Sequence, residues 1–288
     1  MTSRDLFKAS LVGILAVAIS AIPFESLLAP VLGIPLDEVG EGLPTPYLVP
    51  LFLIYVAIAL VLARMKENLY VGRRAAFVIV FAFHYFIVAF LPELEGRIYL
   101  PAFQFLPALI SASILALAVV GLIFYLWKQE DHPEADFGQQ LSAYFASRTV
   151  IGWIWRFFLV WLMFYVLTMA FGIVAYPFNK PYLDDALNAL GMVVPSTGTL
   201  FAITQFRSLI YLFVTLPFVI FWRSSRRDLF LLLTASYVIQ YPLLGDGVGA
   251  FYWPAMYRAI DFIVLALQLT AVSWLYVTLL WKGEKSEA

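Results

Sequence analysis

The sequence contains no cysteine among its 288 residues. A disulfide framework, a thiolate metal site and a cysteine nucleophile are therefore excluded. Histidine is almost as scarce, because His84 and His132 are the only two. Two histidines cannot supply both axial ligands of a haem and a further histidine site as well. We accordingly predict no metal site and no cofactor.

Charged residues are also few. They make up 13% of the chain, against roughly 25% in soluble domains, whereas 63% of the residues are hydrophobic. The formal net charge is −1 and no basic patch is present. Nucleic acid is therefore not an expected partner, and the composition predicts a lipid bilayer as the main surroundings of the chain.

Sequence motifs of several enzyme classes are missing. There is no HExxH pair for zinc, no GxSxG nucleophile turn and no Walker A sequence. The last apolar run has no mid-helix lysine that could form a retinal Schiff base. A pair of deep carboxylates is also missing, which disfavours a carboxylate-driven cation pump. We predict no catalytic residue.

What the sequence has in abundance is long apolar runs. About 20 residues at a rise of ~1.5 Å cross a hydrocarbon core of ~30 Å, and lipid offers no partner to unpaired backbone groups. The predicted fold is therefore all-α, a single-domain (1–288) polytopic transmembrane helix bundle of about eight spans. The predicted spans are 6–24, 47–64, 75–92, 102–127, 149–174, 199–222, 228–245 and 255–281.

Lysine and arginine are distributed unequally between the two sets of connections. One set is strongly basic, whereas the other holds only Arg97 and Lys180. The basic set is predicted to be cytoplasmic, together with both termini. No small-residue cleavage site follows the first apolar run, so we expect it to be retained as a span. The expected location is a bacterial or archaeal plasma membrane.

Three connecting segments have patterns of their own. Residues 25–46 are rich in proline and glycine and are expected to lie at the outer interface or to fold back. Residues 135–147 carry aromatic and leucine side chains at helical spacing, which predicts a cytoplasmic interfacial helix. Residues 184–194 are expected to form a short outer helix capped by an aspartate.

The most polar membrane segment is residues 199–222, because Arg207 lies inside it. Arg207 is ~12 Å from the start of the run, which is too deep for an ordinary end-of-helix anchor. Steps of three and four place Arg207 on one stripe with Thr204, Ser208, Tyr211 and Thr215. Such a stripe is expected to face other helices, a cavity or a ligand rather than lipid.

The two following spans also carry polar residues in the predicted outer half of the membrane. We predict a pocket between spans six, seven and eight. Two arginines against one acid leave one positive charge, which favours an anionic group such as a phosphate or a carboxylate. The predicted ligand-binding residues are Arg207, Arg258, Asp261, Tyr211, Tyr237 and Gln240.

Three functions fit this pattern. The first is binding or transport of an anionic small molecule or lipid head group. The second is a non-catalytic membrane subunit or scaffold for another membrane protein, in which Asp261 neutralises Arg207 or Arg258 structurally. The third is a membrane-embedded enzyme acting on an outer-leaflet lipid; it ranks last because Asp261 is its only deep carboxylate.

Two further residues lie inside predicted spans. His84, near the middle of span three, is either a proton relay or, as we favour, a neutral histidine bonded to a neighbouring helix. Arg156 lies near the cytoplasmic end of span five, where it is expected to anchor the helix and to contact a neighbouring tryptophan.

Overall fold

The structure is a computed structural model that describes residues 2–22, 44–100, 105–128, 136–190, 193–249 and 253–282. Every regular element in these ranges is helical, apart from an isolated bridge between Leu69 and Trp222. The predicted all-α class is therefore confirmed for the described part of the chain. Of the predicted outer segment 25–46, residues 25–43 lie outside it.

The helices are numbered in chain order. They are α1 (Ser3–Ser20), α2 (Leu48–Glu67), α3 (Arg73–Tyr99), α4 (Phe105–Leu126), α5 (Phe137–Ala146), α6 (Val150–Leu190), α7 (Thr197–Phe221), α8 (Arg226–Val238) and α9 (Ala255–Leu280). Within α3, Phe86–Phe90 is a π-helical turn. Two further π-helical turns, Ile239–Leu243 and Gly245–Gly249, follow α8.

Within the described residues, six helices are long and apolar enough to cross a membrane. They are α2 with its preceding turn, α3, α4, α6 as far as Tyr182, α7 and α9. The predicted spans 6–24 and 228–245 correspond to α1 and to α8 with its π turn, which are not among the six. Both of these helices carry charged residues in their first turns. Six of the eight predicted spans thus coincide with helices that are long and apolar enough to cross a membrane, and the exact number of spans stays a prediction.

Three predicted boundaries are wrong. The fifth span was expected to end at residue 174, but α6 continues as one helix to Leu190. The third span was expected to end at residue 92, but α3 continues to Tyr99, because the acidic residues after Pro92 are accommodated inside the helix. Residues 184–190 are helical as expected, but they continue α6 without a break, so no separate capped helix begins at Asp184. Residues 191–192 lie outside the described residues.

The predicted interfacial segment does form a helix, α5. It begins after Asp136, whose carboxylate accepts a hydrogen bond from the Gln139 backbone N–H at 3.0 Å, as an N-cap does. Helix α5 lies across the ends of other helices. Its contacts are Gln140 to the Tyr70 carbonyl, Phe137 to the Phe221 ring and Tyr144 to the Leu280 carbonyl. Burial raises the pKa of the Tyr144 phenol above its ordinary value.

The predicted cytoplasmic connections are grouped at this same end of the bundle. The Trp127 indole N–H donates to Asp5 of α1 at 3.3 Å, and the buried Lys66 ammonium donates to the Trp127 carbonyl. Both ends of the described chain therefore lie on the side that the lysine and arginine count predicts to be cytoplasmic. That this side faces the cytoplasm stays a prediction.

Helices α1 and α2 approach each other closely at Gly13. A Cβ atom at this position would lie 2.8 Å from a ring carbon of Phe52 and 2.9 Å from its backbone oxygen. The close packing of the two helices therefore requires glycine here, in the way that small residues allow membrane helices to approach.

Candidate functional site

An ion pair lies between α3 and α7. Nη2 of Arg207 is 2.5 Å from Oε1 of Glu95, and the Tyr241 hydroxyl donates to Oε2 of Glu95 at 2.6 Å. The Tyr241 ring centroid is 5.6 Å from the Arg207 guanidinium carbon. The side chains of Arg207 and Glu95 are only 11% and 15% exposed. We call these three residues the Glu95 cluster.

Helix irregularities accompany two members of this cluster. Glu95 follows the π-helical turn Phe86–Phe90 of α3, and Tyr241 lies inside the π-helical turn that contains Pro242. A π turn adds a residue to the helix and so changes the direction of the side chains that follow it. The third member, Arg207, lies on regular helix ~15 Å from the start of α7.

A second polar group lies deeper in the bundle. His84 Nδ1 and Gln240 Oε1 are 2.7 Å apart, and the Gln240 amide nitrogen donates to the Ser236 hydroxyl. His84 and Gln240 are both buried. Because an amide oxygen only accepts, Nδ1 of His84 donates this hydrogen bond. The predicted bond of His84 to a neighbouring helix is therefore confirmed, and its neutral state stays a prediction.

Buried tyrosines connect these two groups. The rings of Tyr211 and Tyr237 lie 4.9 Å apart, and the Tyr237 hydroxyl is hydrogen-bonded to Thr215. Both tyrosines are fully buried. The structure thus brings four of the predicted site residues into one buried region: Arg207, Tyr211, Tyr237 and Gln240. Their role in ligand binding stays a prediction.

The other two predicted site residues, on α9, have different surroundings. Arg258 donates to the Gly247 carbonyl at 3.3 Å, and its guanidinium lies 5.8 Å from the Tyr47 ring centroid. Asp261 lines a groove between α6 and α9. The scaffold hypothesis had allowed an ion pair of Arg207 with Asp261. In the structure, the ion pair of Arg207 is made with Glu95 instead.

Glu95 is not among the predicted site residues. The sequence pattern gave two deep arginines and one acid, and Glu95 makes the numbers equal. The inferred surplus of positive charge is therefore wrong, and so is the premise that Asp261 is the only deep carboxylate. The signal that pointed to Glu95 was its position three residues after Pro92, within one helical turn of the predicted end of span three.

Arg156 behaves as the sequence predicts. Its guanidinium lies 4.6 Å from the Trp155 ring centroid and donates to the Gly152 carbonyl one turn earlier at 2.8 Å. It therefore belongs to the end of α6 rather than to the polar interior. In the ranges that the structure describes, no three acidic or histidine side chains are grouped so as to hold a metal ion.

Comparison with known proteins finds no matching family model, no matching curated protein and no matching solved structure. The polar interior of the bundle and its chemistry therefore provide the evidence on function.

Proposed function

We propose that the protein is a membrane-embedded binding or transport protein that receives an anionic group beside Arg207. The group would be a carboxylate or a phosphate, carried by a small molecule or by a lipid head group. The observation that supports this most is a pair of unused donors. Arg207 Nε and the Tyr211 hydroxyl are both buried, and neither has a hydrogen-bond partner in the described part of the chain.

The two residues that carry these donors lie one helical turn apart on the same face of α7. Leaving a buried donor without an acceptor costs about 1–3 kcal/mol, so a ligand oxygen that accepts from both is favoured. A guanidinium suits carboxylate and phosphate in particular, because its planar donors match their oxygens.

The Glu95 cluster gives such a site a resting state. Without ligand, Glu95 neutralises Arg207, and the Tyr241 hydroxyl holds the other carboxylate oxygen. This limits the cost of a bare charge in the bilayer, which is at least about 2.5–3.5 kcal/mol on insertion scales. An incoming anion then competes with Glu95 or shares the guanidinium with it.

One observation favours the scaffold as a second candidate function. Arg207 Nη2 and Glu95 Oε1 are 2.5 Å apart, so Glu95 alone balances the charge of Arg207. In that case the pair is purely structural, and the protein is a subunit whose aromatic faces contact another membrane protein.

The test is native mass spectrometry of gently solubilised wild type beside the variants Arg207→Gln and Arg156→Gln. Arg156→Gln is the matched control, because it removes the same charge from a helix end. The proposal expects a bound anionic metabolite or lipid on wild type and on the control, and its loss from Arg207→Gln.

The same preparations are then heated with sodium phosphate or sodium acetate, at an ionic strength held constant with sodium chloride. Either anion should raise the unfolding temperature of wild type and not that of Arg207→Gln. If Arg207→Gln does not fold, the neutral pair Glu95→Gln/Arg207→Gln replaces it. Equal ligand retention in all variants, or a stoichiometric protein chain with no small ligand, would overturn the proposal, and the protein chain would favour the scaffold.

A further inference from the structure

A groove separate from the Glu95 cluster runs between α6 and α9. Its volume is about 240 Å³. Polar side chains from both helices line it, and they include one carboxylate and two tyrosine rings. They are Thr168, Tyr176, Asn179, Tyr257, Asp261 and Gln268.

The groove exists because α6 has small residues where it faces α9. Gly172 and Ala175 line it, and a Cβ atom added at Gly172 would meet no other part of the chain within 4 Å. The space is therefore open beside the helix backbone. Its position within two helices that meet the requirements of a membrane span places it inside the predicted bilayer.

Asn179 indicates what kind of group the groove accepts. It is only 8% exposed, and its Oδ1 has no hydrogen-bond partner in the described residues. Buried amide oxygens are normally paired, so this one indicates a missing donor. Farther along the groove, the Gln268 amide nitrogen already donates to Thr168 at 2.8 Å.

Two kinds of groups that line the groove can attract a cation. Asp261 lines it from α9 and, when ionised, only accepts hydrogen bonds. The tyrosine rings add faces that attract positive charge. The Lys180 ammonium lies 6.0 Å from the Tyr176 ring centroid, so a bound cation would share this ring with it.

We propose that this groove is a binding site for a protonated primary amine. The ammonium donates N–H groups to Asn179 Oδ1 and to the Asp261 carboxylate, and its carbon stem lies along Gly172. The volume is below the roughly 300–1,000 Å³ of sites for drug-sized ligands, so the bound group is small. It is either a free alkylamine or the ammonium end of a lipid head group.

This site does not depend on the proposed anion site. None of the residues lining the groove belongs to the Glu95 cluster, and the ligand has the opposite charge. Failure of one proposal therefore leaves the other in place, and Arg207→Gln should still bind amines.

The experiment measures unfolding temperatures in neutral detergent and amine-free buffer with three probes of similar size. Ethylammonium has the charge and the N–H donors, tetramethylammonium has only the charge, and ethanol has neither the charge nor an N–H group. The proposal expects ethylammonium to stabilise wild type more than either of the other two. Equal effects of ethylammonium and tetramethylammonium would overturn the assignment of N–H donation to Asn179 and Asp261.

Two variants test the location. Asp261→Asn should weaken ethylammonium binding at least about tenfold, because it removes the charged acceptor. Gly172→Leu should abolish binding by filling the groove, and it serves as the second test if Asp261→Asn does not fold. Asp228→Asn, an exposed carboxylate of α8, is the matched control. Unchanged binding in Gly172→Leu or in Asp261→Asn would overturn the proposal.

The source of the amine is distinguished with vesicles. The protein is reconstituted in choline-headgroup lipid with or without ethanolamine-headgroup lipid and then examined by native mass spectrometry. Selective retention of the ethanolamine lipid, displaced by ethylammonium, assigns the site to a lipid head group. Binding of ethylammonium without lipid selectivity assigns it to a free amine, and the absence of both contradicts the proposal.

Discussion

Glu95 Oε1 and Arg207 Nη2 lie 2.5 Å apart, and each residue is inside a helix that is long and apolar enough to cross a membrane. The acid and the base come from α3 and α7, which are distant in the chain. The pair explains how these two charged side chains are tolerated within membrane-spanning lengths of helix.

The first prediction concerns this pair. Glu95→Gln should lower the free energy of unfolding by about 3–5 kcal/mol, because the charge of Arg207 remains buried without its partner. Arg207→Gln should cost a similar amount for the converse reason. The double variant should recover most of the loss, as measured by denaturant titration in mixed micelles. Simple addition of the two single losses would show that the pair is not coupled.

The second prediction concerns the tyrosine that holds Glu95. Tyr241→Phe removes a hydrogen bond to a charged group, so it should cost about 1.5–3 kcal/mol of unfolding free energy. Tyr125→Phe is the control, because Tyr125 is 77% exposed. Both are measured by the same titration, and losses of equal size in the two variants would contradict a role for the Tyr241 hydroxyl.

The third prediction concerns the contact of α1 with α2. Gly13→Ala should destabilise the protein by about 1–3 kcal/mol, because its methyl group would overlap Phe52, including the backbone oxygen. Gly121→Ala in α4 meets no atom within 4 Å and should be neutral or stabilising by up to about 1 kcal/mol. The measurement is the unfolding temperature of each variant. A decrease in Gly121→Ala as large as in Gly13→Ala would contradict the close approach of α1 and α2.

The fourth prediction concerns the end of α9. Arg148 donates to the Leu279 and Trp281 carbonyls, which the helix itself cannot satisfy. Arg148→Gln should therefore increase amide hydrogen exchange in the last turn of α9 and leave the middle of that helix unchanged. Arg156→Gln, which loses a bond within α6, should not change exchange in α9. Equal rates of amide hydrogen exchange in the last turn of α9 in both variants would show that Arg148 does not stabilise the end of this helix.

Several features follow from the sequence because they depend on local chemistry. The scarcity of charge and the length of the apolar runs are enough to predict the helical class and the six helices that are long and apolar enough to cross a membrane. Asp136 marks the start of α5, because an aspartate before an amphipathic segment caps its first N–H groups. The bond of His84 to a neighbouring helix was also predictable in kind, since a neutral buried histidine needs a partner.

Other features depend on contacts that no local pattern contains. In sequence, Glu95 looks like the end of a span, because an isolated carboxylate is unfavourable in lipid. Only the packing of α3 against α7 supplies Arg207, whose charge makes the carboxylate tolerable and lets the helix continue to Tyr99. The sequence by itself therefore determined a helical membrane protein with a polar interior. The tertiary structure decided which charges meet, because their pairing energy depends on distances between helices.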